Sequence, residues 1–171
     1  MINQLRRILP ALFAVVTACN APVGSTPVVT EIPSGAVNVA WSNAGAVRVG
    51  HAYYSGFRQS ARVVVDNDSE WRTLWSTYTA NLGSPPPLPA IDFTSHEVIV
   101  AALGERNSGG YDIAISRIAA TSDYLYVELT STRPGSRCGT TAALTQPVDM
   151  VRIPREHPPV MFIEKVVVNE C

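Results

Sequence analysis

The sequence predicts an α+β fold: a mostly antiparallel β-sheet of about seven to eight strands with one amphipathic helix packed on it. Two observations predict this class. Short segments rich in β-branched residues recur along the chain, separated by Gly, Pro, Asn and Ser turn signals. Only residues 67–83 carry apolar side chains at the spacing of an amphipathic helix. The pattern leaves the pairing order of the strands open.

Residues 1–18 have the features of an export signal and are excluded from the fold. Arg6 and Arg7 give a positive start, and residues 8–16 are apolar over about half the length of a membrane helix. The sequence VTAC that ends at Cys19 resembles a bacterial lipobox, which implies cleavage before Cys19 and a diacylglyceryl thioether with palmitate-type chains. An ordinary secretory signal peptide is the alternative.

Residues 19–35 follow as a lipidated Cys and a Pro-rich tether, and residues 36–171 have the length of a single globular domain. We therefore expect a protein anchored in the cell envelope, with its domain outside the cytoplasm. Asn20 after the Cys indicates the outer membrane if the cell has two. Loss of Arg6 and Arg7 leaves 11 basic and 14 acidic residues, a charge that argues against a nucleic-acid partner.

Three segments open the domain and are followed by the helix. Residues 36–41, 47–57 and 61–66 read as strands, for which an antiparallel meander is the simplest arrangement. Asn67 is a suitable N-cap, with Glu70 completing a capping box. The apolar residues of the helix form one stripe, which we interpret as the face that packs on the sheet; a carbohydrate or peptide site is the alternative. They are Trp71, Leu74, Trp75, Tyr78 and Leu82.

A Pro-rich spacer at residues 85–89 leads to the central stretch. Residues 98–103 are six apolar residues in a row, typical of a strand buried on both faces. Residues 104–110 form a Gly-rich loop, and residues 111–118 resume with the alternation of a half-buried strand. These features predict a hairpin.

Three further strands are predicted at residues 124–130, 144–153 and 160–168. The apolar phase of the second shifts between Met150 and Val151, which predicts a kink or bulge in that strand.

The segment LGERNSGGYDIAI, from Leu103 to Ile115, resembles the signature of the PrcB C-terminal domain family. Pro134-Gly135 and the run from Thr145 to Pro154 match later parts of that pattern, and Val148 stands where the family often has an aromatic residue. The resemblance covers roughly residues 92–154. It implies an accessory lipoprotein that supports the stability and activity of a surface protease.

With Cys19 taken by lipid, Cys138 and Cys171 are the remaining cysteines. In an oxidising compartment they admit one intramolecular disulfide, which we expect to tie the last strand to the polar loop at residues 132–141. Two free thiols, or an intermolecular bridge through the terminal Cys171, are the alternatives.

The sequence contains no pattern for a catalytic, metal or cofactor site. His51, His96 and His157 lie far apart, and neither H-E-x-x-H nor G-x-S-x-G occurs. A hydrolase site assembled by folding would need a His, a Ser and an Asp in one pocket.

Recognition is the remaining class of function. The candidate binding loop contains Glu105, Arg106, Asn107 and Tyr111. Alternatively, its glycines only permit positive φ in a turn. We expect a non-catalytic accessory lipoprotein that binds an exported partner protein, with a protease as the candidate. A stand-alone binding module for a small ligand or glycan is the alternative, which exposure of Trp71 or Trp75 would favour and burial would oppose.

Overall fold

The structure, a computed structural model, describes residues 30–42, 44–155 and 158–171. The expected signal peptide, Cys19, most of the tether and His157 lie outside these residues. One helix and eight strands are present within them: β1 Val37–Asn38, β2 Val47–Ala52, β3 Ala61–Val65, α1 Asp68–Thr79, β4 His96–Ala102, β5 Asp112–Ala120, β6 Leu125–Pro134, β7 Val148–Pro154 and β8 Val160–Asn169.

The eight strands form two four-stranded sheets, which confirms the α+β class and adds a division that the sequence did not predict. The central sheet has the order β2-β7-β4-β3, and all its pairs are antiparallel. The front sheet has the order β1-β5-β6-β8, in which β6 and β8 are parallel. β5 and β6 form a hairpin, whereas the other paired strands are separated by longer stretches of chain.

The predicted hairpin between residues 98–103 and 111–118 is wrong. β4 pairs with β3 and β7 in the central sheet, whereas β5 pairs with β1 and β6 in the front sheet. The Gly-rich loop therefore carries the chain from one sheet to the other. The opening meander is also wrong, since β1 pairs with β5, β2 with β7 and β3 with β4.

Helix α1 covers one face of the central sheet. The Asn67 side chain accepts a hydrogen bond from the Glu70 N–H at 3.0 Å, which satisfies one of the free amides at the helix N-terminus. Trp71, Trp75 and Tyr78 are buried against the sheet, as their spacing predicts. The helix ends before Leu82, which still packs on the same cluster.

The central sheet lies between two apolar cores. On β4, Val98 and Val100 contact the helix side, while Ile99 and Ala101 contact the front sheet. The prediction of a strand buried on both faces is therefore confirmed. No helix among the described residues is long and apolar enough to cross a membrane.

The apparent shift in the apolar phase of β7 arises because the strand has an apolar core on each of its faces. Val148 and Met150 face the helix side, whereas Val151 and Ile153 face the front sheet. Its register with β4 is regular, so the predicted kink in this strand is wrong. The irregularity lies in the neighbouring strand β2, between Arg48 and Gly50.

Cys138 and Cys171 form a disulfide with an S–S distance of 2.07 Å and a Cα–Cα distance of 5.2 Å. The bond ties Cys171, the second residue after β8, to the polar loop between β6 and β7. The Gly135 N–H donates to the Asn169 carbonyl at 2.9 Å close by, so the end of β8 is fixed at two points.

Candidate binding cleft

An open cleft of about 450 Å³ lies where the ends of the two sheets meet. The end of β2, the start of β5, the end of β6 and the loop before β7 contribute to its walls. Its lining combines aromatic rings, hydroxyl groups, one amide and one carboxylate: Tyr53, Tyr54, Gly109, Gly110, Tyr111, Asp112, Thr132, Thr141, Thr145 and Asn169.

The Gly-rich loop forms one wall and is held by backbone hydrogen bonds. Arg106 and Thr145 exchange two N–H···O bonds of 2.8 and 3.0 Å, and the Gly109 N–H donates to the Thr141 carbonyl at 3.0 Å. Gly110 has a φ of +87°, a conformation that residues with a Cβ rarely adopt. The loop is thus a fixed surface rather than a simple turn between paired strands.

The predicted loop residues divide between the cleft and its support. Tyr111 lines the cleft, and Asn107 is exposed outside it. Glu105 accepts a hydrogen bond from Gln146 Nε2 at 3.1 Å, and Arg106 donates to the Leu103 carbonyl at 2.9 Å. The Arg106 guanidinium also lies 5.8 Å from the centre of the Tyr111 ring. Glu105 and Arg106 therefore brace the wall from behind.

Tyr53 and Tyr54 form the opposite wall and are the most exposed aromatic rings of the cleft, at 50% and 47%. The His51 ring packs edge-on against Tyr53 at 5.6 Å between centroids, which fixes one of the two rings from below. By contrast, Trp71 and Trp75 are 1% and 7% exposed. Their burial excludes them as a binding surface and leaves the tyrosines as the accessible aromatic groups of the cleft.

A chain of charged side chains runs from the cleft into the protein. Asp112 Oδ1 lies 3.3 Å from His51 Nε2, and His51 Nδ1 lies 3.4 Å from Asp149 Oδ1. Asp149 has no exposed surface and accepts two hydrogen bonds from Arg48, at 2.7 and 3.0 Å. Asp112 is therefore the end of this network that reaches the cleft.

The contacts within the network favour the charged forms of His51 and Asp149. The Asp112 and Asp149 carboxylates, in ion-pair contact with the two ring nitrogens, outweigh burial and raise the pKa of His51 to about 9. Burial opposes ionisation of Asp149, but the ion pair with His51 and the hydrogen bonds from Arg48 and the Ile115 N–H outweigh it and lower the pKa of this carboxyl. At neutral pH His51 is a cation between two carboxylates.

A protonated imidazole is a poor general base, so this geometry does not match a nucleophile–histidine–aspartate arrangement. In place of a hydroxyl or thiol, the Nε2 atom of His51 faces the Asp112 carboxylate. Within the described ranges, no group of three or more His, Cys, Asp or Glu side chains is arranged to hold a metal ion.

Sequence reasoning did not identify His51, Asp112 and Asp149 as a cluster. One signal was present: Asp149 interrupts an apolar strand at a position whose neighbours are all buried. A buried acid needs ionic or hydrogen-bonding partners, and this requirement points to a cation elsewhere in the chain.

A sequence profile of the family described as PrcB C-terminal matches residues 98–154, about a third of the chain. The match confirms the resemblance carried by the Gly-Gly-Tyr loop and the later strand. It runs from β4 to the last residue of β7 and includes the cleft residues from Gly109 to Thr145. No curated protein matches the chain significantly. No solved structure matches it either.

Proposed function

We propose that this chain is a membrane-anchored, non-catalytic accessory lipoprotein that binds or stabilises an exported partner protein, with a protease as the candidate partner. In this proposal residues 1–18 are removed, lipidated Cys19 anchors the chain, residues 19–35 form a tether, and residues 36–171 present the cleft outside the cytoplasm. The match to the PrcB C-terminal family supports the link to a protease complex.

One observation carries the proposal: the family-matching Gly-rich segment builds a wall of an open cleft that faces two exposed tyrosines. Tyrosine is enriched at protein interfaces because its ring gives contact area at low entropic cost, and its hydroxyl stays solvated or bonded. The backbone bonds of the loop hold the wall in place before binding, which lowers the ordering cost of association.

The charges at the cleft support a recognition role rather than a chemical one. His51 is held protonated between Asp112 and Asp149, so it is not available as a base at neutral pH. Asp112 instead offers carboxylate oxygens at the cleft wall, where partner N–H or hydroxyl groups can be bound.

The partner is tested by purifying the tagged full chain from its native membranes in mild detergent and identifying co-purifying proteins by mass spectrometry. We expect a stoichiometric exported protein, and we expect the double variant Tyr53→Ala/Tyr54→Ala to lose it. Tyr124→Ala is the matched control, because Tyr124 is 41% exposed and lies outside the cleft lining. Recovery of the chain without a partner, or equal recovery from all three proteins, contradicts the proposal.

The anchor is tested separately by fractionation. Wild type is expected in the membrane fraction with acyl chains on Cys19, whereas Cys19→Ala is expected to leave that fraction or to stay unprocessed. Unchanged fractionation and processing of Cys19→Ala would contradict lipid anchoring and leave the binding experiment unaffected.

A second candidate function is binding of a small ligand or glycan. The exposed tyrosine pair, the threonine hydroxyls, Asn169 and Asp112 in a cleft of about 450 Å³ favour it, while burial of Trp71 and Trp75 counts against a tryptophan-based site. Calorimetric titration of the purified chain with envelope glycan fragments distinguishes the two functions. The glycan-binding hypothesis would be favoured if binding is saturable, if Tyr53→Ala/Tyr54→Ala abolishes it, and if no protein partner co-purifies with the chain.

A further inference from the structure

The edge strand β8 is the longest unprotected sheet edge among the described residues. It spans ten residues, contains neither Gly nor Pro, and within the described ranges pairs as a strand only with β6. Its last three valines, Val166, Val167 and Val168, are 63%, 47% and 37% exposed. An edge of this length with exposed apolar side chains is a template for pairing with another strand.

The other three edge strands, β1, β2 and β3, have features that discourage pairing with a further strand. β1 is only two residues long. β2 is irregular between Arg48 and Gly50. β3 has five residues, and the Arg62 guanidinium donates to the carbonyls of Ala61 on β3 and Ala102 on β4. Short strands, bulges and charged side chains are the means by which sheets prevent edge association. β8 is neither short nor bulged, and its two charged side chains, Glu164 and Lys165, lie before the three valines.

The charges of β8 are neutralised within the chain. Glu164 pairs with Arg62 at 2.8 Å, and Lys165 pairs with Glu128 at 2.7 Å. The disulfide and the Gly135–Asn169 hydrogen bond hold the end of the strand in place. A strand that pairs with β8 would therefore meet an ordered edge without an unpaired charge at its centre.

The backbone N–H and C=O groups of alternate β8 residues point either towards β6 or towards the free edge of the sheet. The carbonyls of Pro159 and Asn169 accept from Leu125 and Gly135 on the β6 side. Because alternate residues of a strand turn their backbone groups to opposite sides, even-numbered residues of β8 direct their N–H and C=O groups to the free edge. Val166 and Val168 thus offer their donors and acceptors outward.

We propose that β8 pairs antiparallel with β8 of a second copy of this chain, about a two-fold axis through Val167. In this register Val166 of one copy and Val168 of the other exchange N–H···O bonds, and the two Val167 side chains face each other. The segment Lys165-Val166-Val167-Val168-Asn169 is nearly palindromic, so all three valines meet valines. An axis through Val166 would instead place Lys165 opposite a valine.

We infer a second copy rather than an unrelated strand, because in this register residues 165–169 are complementary to the same residues of another copy. It joins the two front sheets into one eight-stranded sheet. It also places Lys165 of the second copy beside Asn169, which lines the cleft. The pairing ends before Glu164 meets Glu170 of the second copy.

The first test is the mass of the full chain in mild detergent, measured by sedimentation equilibrium over about a hundredfold range of concentration. We expect twice the monomer mass at the upper end for wild type. Val167→Lys places two like charges directly opposite each other and should give the monomer at all concentrations. Val37→Lys is the matched control, because Val37 is 73% exposed on β1, and it should remain a dimer.

The second test is the register, measured by oxidative cross-linking in a Cys19→Ala background. Opposed residues in a non-hydrogen-bonded pair have Cα atoms about 4.5 Å apart, within the range of a disulfide. Val167→Cys should therefore form a 167–167 cross-link by peptide mapping. Val166→Cys should not, since its Cα lies about 8 Å from its counterpart. Monomeric wild type, an unaffected Val167→Lys dimer, or equal cross-linking at both positions would overturn the proposal.

Discussion

Asp149 Oδ2 accepts a hydrogen bond of 2.7 Å from the backbone N–H of Ile115, so a side chain of the central sheet satisfies a backbone group of the front sheet. The Arg48 guanidinium donates to the Ile115 carbonyl at 3.3 Å and to both oxygens of Asp149. In this part of β5 the ladder with β1 has ended, since β1 pairs only with Ala119 and Ala120. The Arg48–Asp149 pair therefore takes the place of a missing strand.

Replacement of Asp149 should be strongly destabilising. In Asp149→Ala the Ile115 N–H loses its acceptor, and Arg48 and His51 lose a carboxylate. We expect the free energy of unfolding in urea to fall by about 3–5 kcal/mol, the usual cost of breaking a buried ion pair from one side. Asp149→Asn keeps an acceptor, so its free energy of unfolding should fall by less.

Asp123→Ala, at an exposed position in the turn before β6, is the control and should have the stability of wild type. Equal stability of Asp149→Ala and wild type would show that the two sheets do not depend on this link.

The stability of the fold should depend on pH through His51. Its pKa is raised from 6.5 to about 9 by Asp112 and Asp149, so its stabilising effect is complete below about pH 6.5 and is lost as pH rises through about 9. Because His51 is partly exposed, we expect a loss of roughly 1–2 kcal/mol over this window. Urea unfolding of wild type and His51→Gln from pH 6 to 10 measures it. The two curves should converge at high pH, with His96→Gln following wild type. Parallel curves would contradict the assignment.

Gly110→Val should destabilise the wall of the cleft. The positive φ of Gly110 strains any L side chain, and an added Cβ would lie 3.1 Å from Pro134 Cβ. We expect a loss of about 1–3 kcal/mol, seen as a lower midpoint of thermal unfolding. Gly139→Val is the matched control, because a Cβ at Gly139 meets nothing within 4 Å. If both variants unfold at the wild-type temperature, position 110 tolerates a β-branched residue.

The elements of the fold could be predicted because each depends on local pattern. The capping of α1 by Asn67, the helix stripe and the two-sided burial of β4 were all legible in the sequence. The pairing of the strands could not be predicted in this way. β4 pairs not with β5, the next strand in the chain, but with β7, whose first residue is 46 positions beyond the end of β4. A Gly-rich loop between two apolar strands is compatible with a hairpin but does not by itself determine which strands pair.

The candidate site was likewise predictable from the sequence only in part. The Gly-rich loop was found because its composition is visible in one segment. Tyr53, Tyr54, Thr132 and Asn169 join it only after the two sheets have assembled. His51 and Asp112 are 61 positions apart, and no catalytic or metal-binding motif joins them. A site whose members come from several strand ends has no sequence period to reveal it.

The disulfide should stabilise the fold chiefly through the unfolded chain. Cys138 and Cys171 are separated by 33 positions, for which the loop-entropy relation gives about 3–4 kcal/mol. We expect Cys138→Ala/Cys171→Ala to lower the free energy of unfolding by that amount. The reductant TCEP should lower the stability of wild type to that of the double variant and leave the double variant unchanged. Hydrogen exchange should show the greatest loss of protection at the end of β8, where Asn169 is held by Gly135. A wild type whose stability does not respond to TCEP, with free thiols confirmed by mass spectrometry, would show that the bond contributes little to the fold.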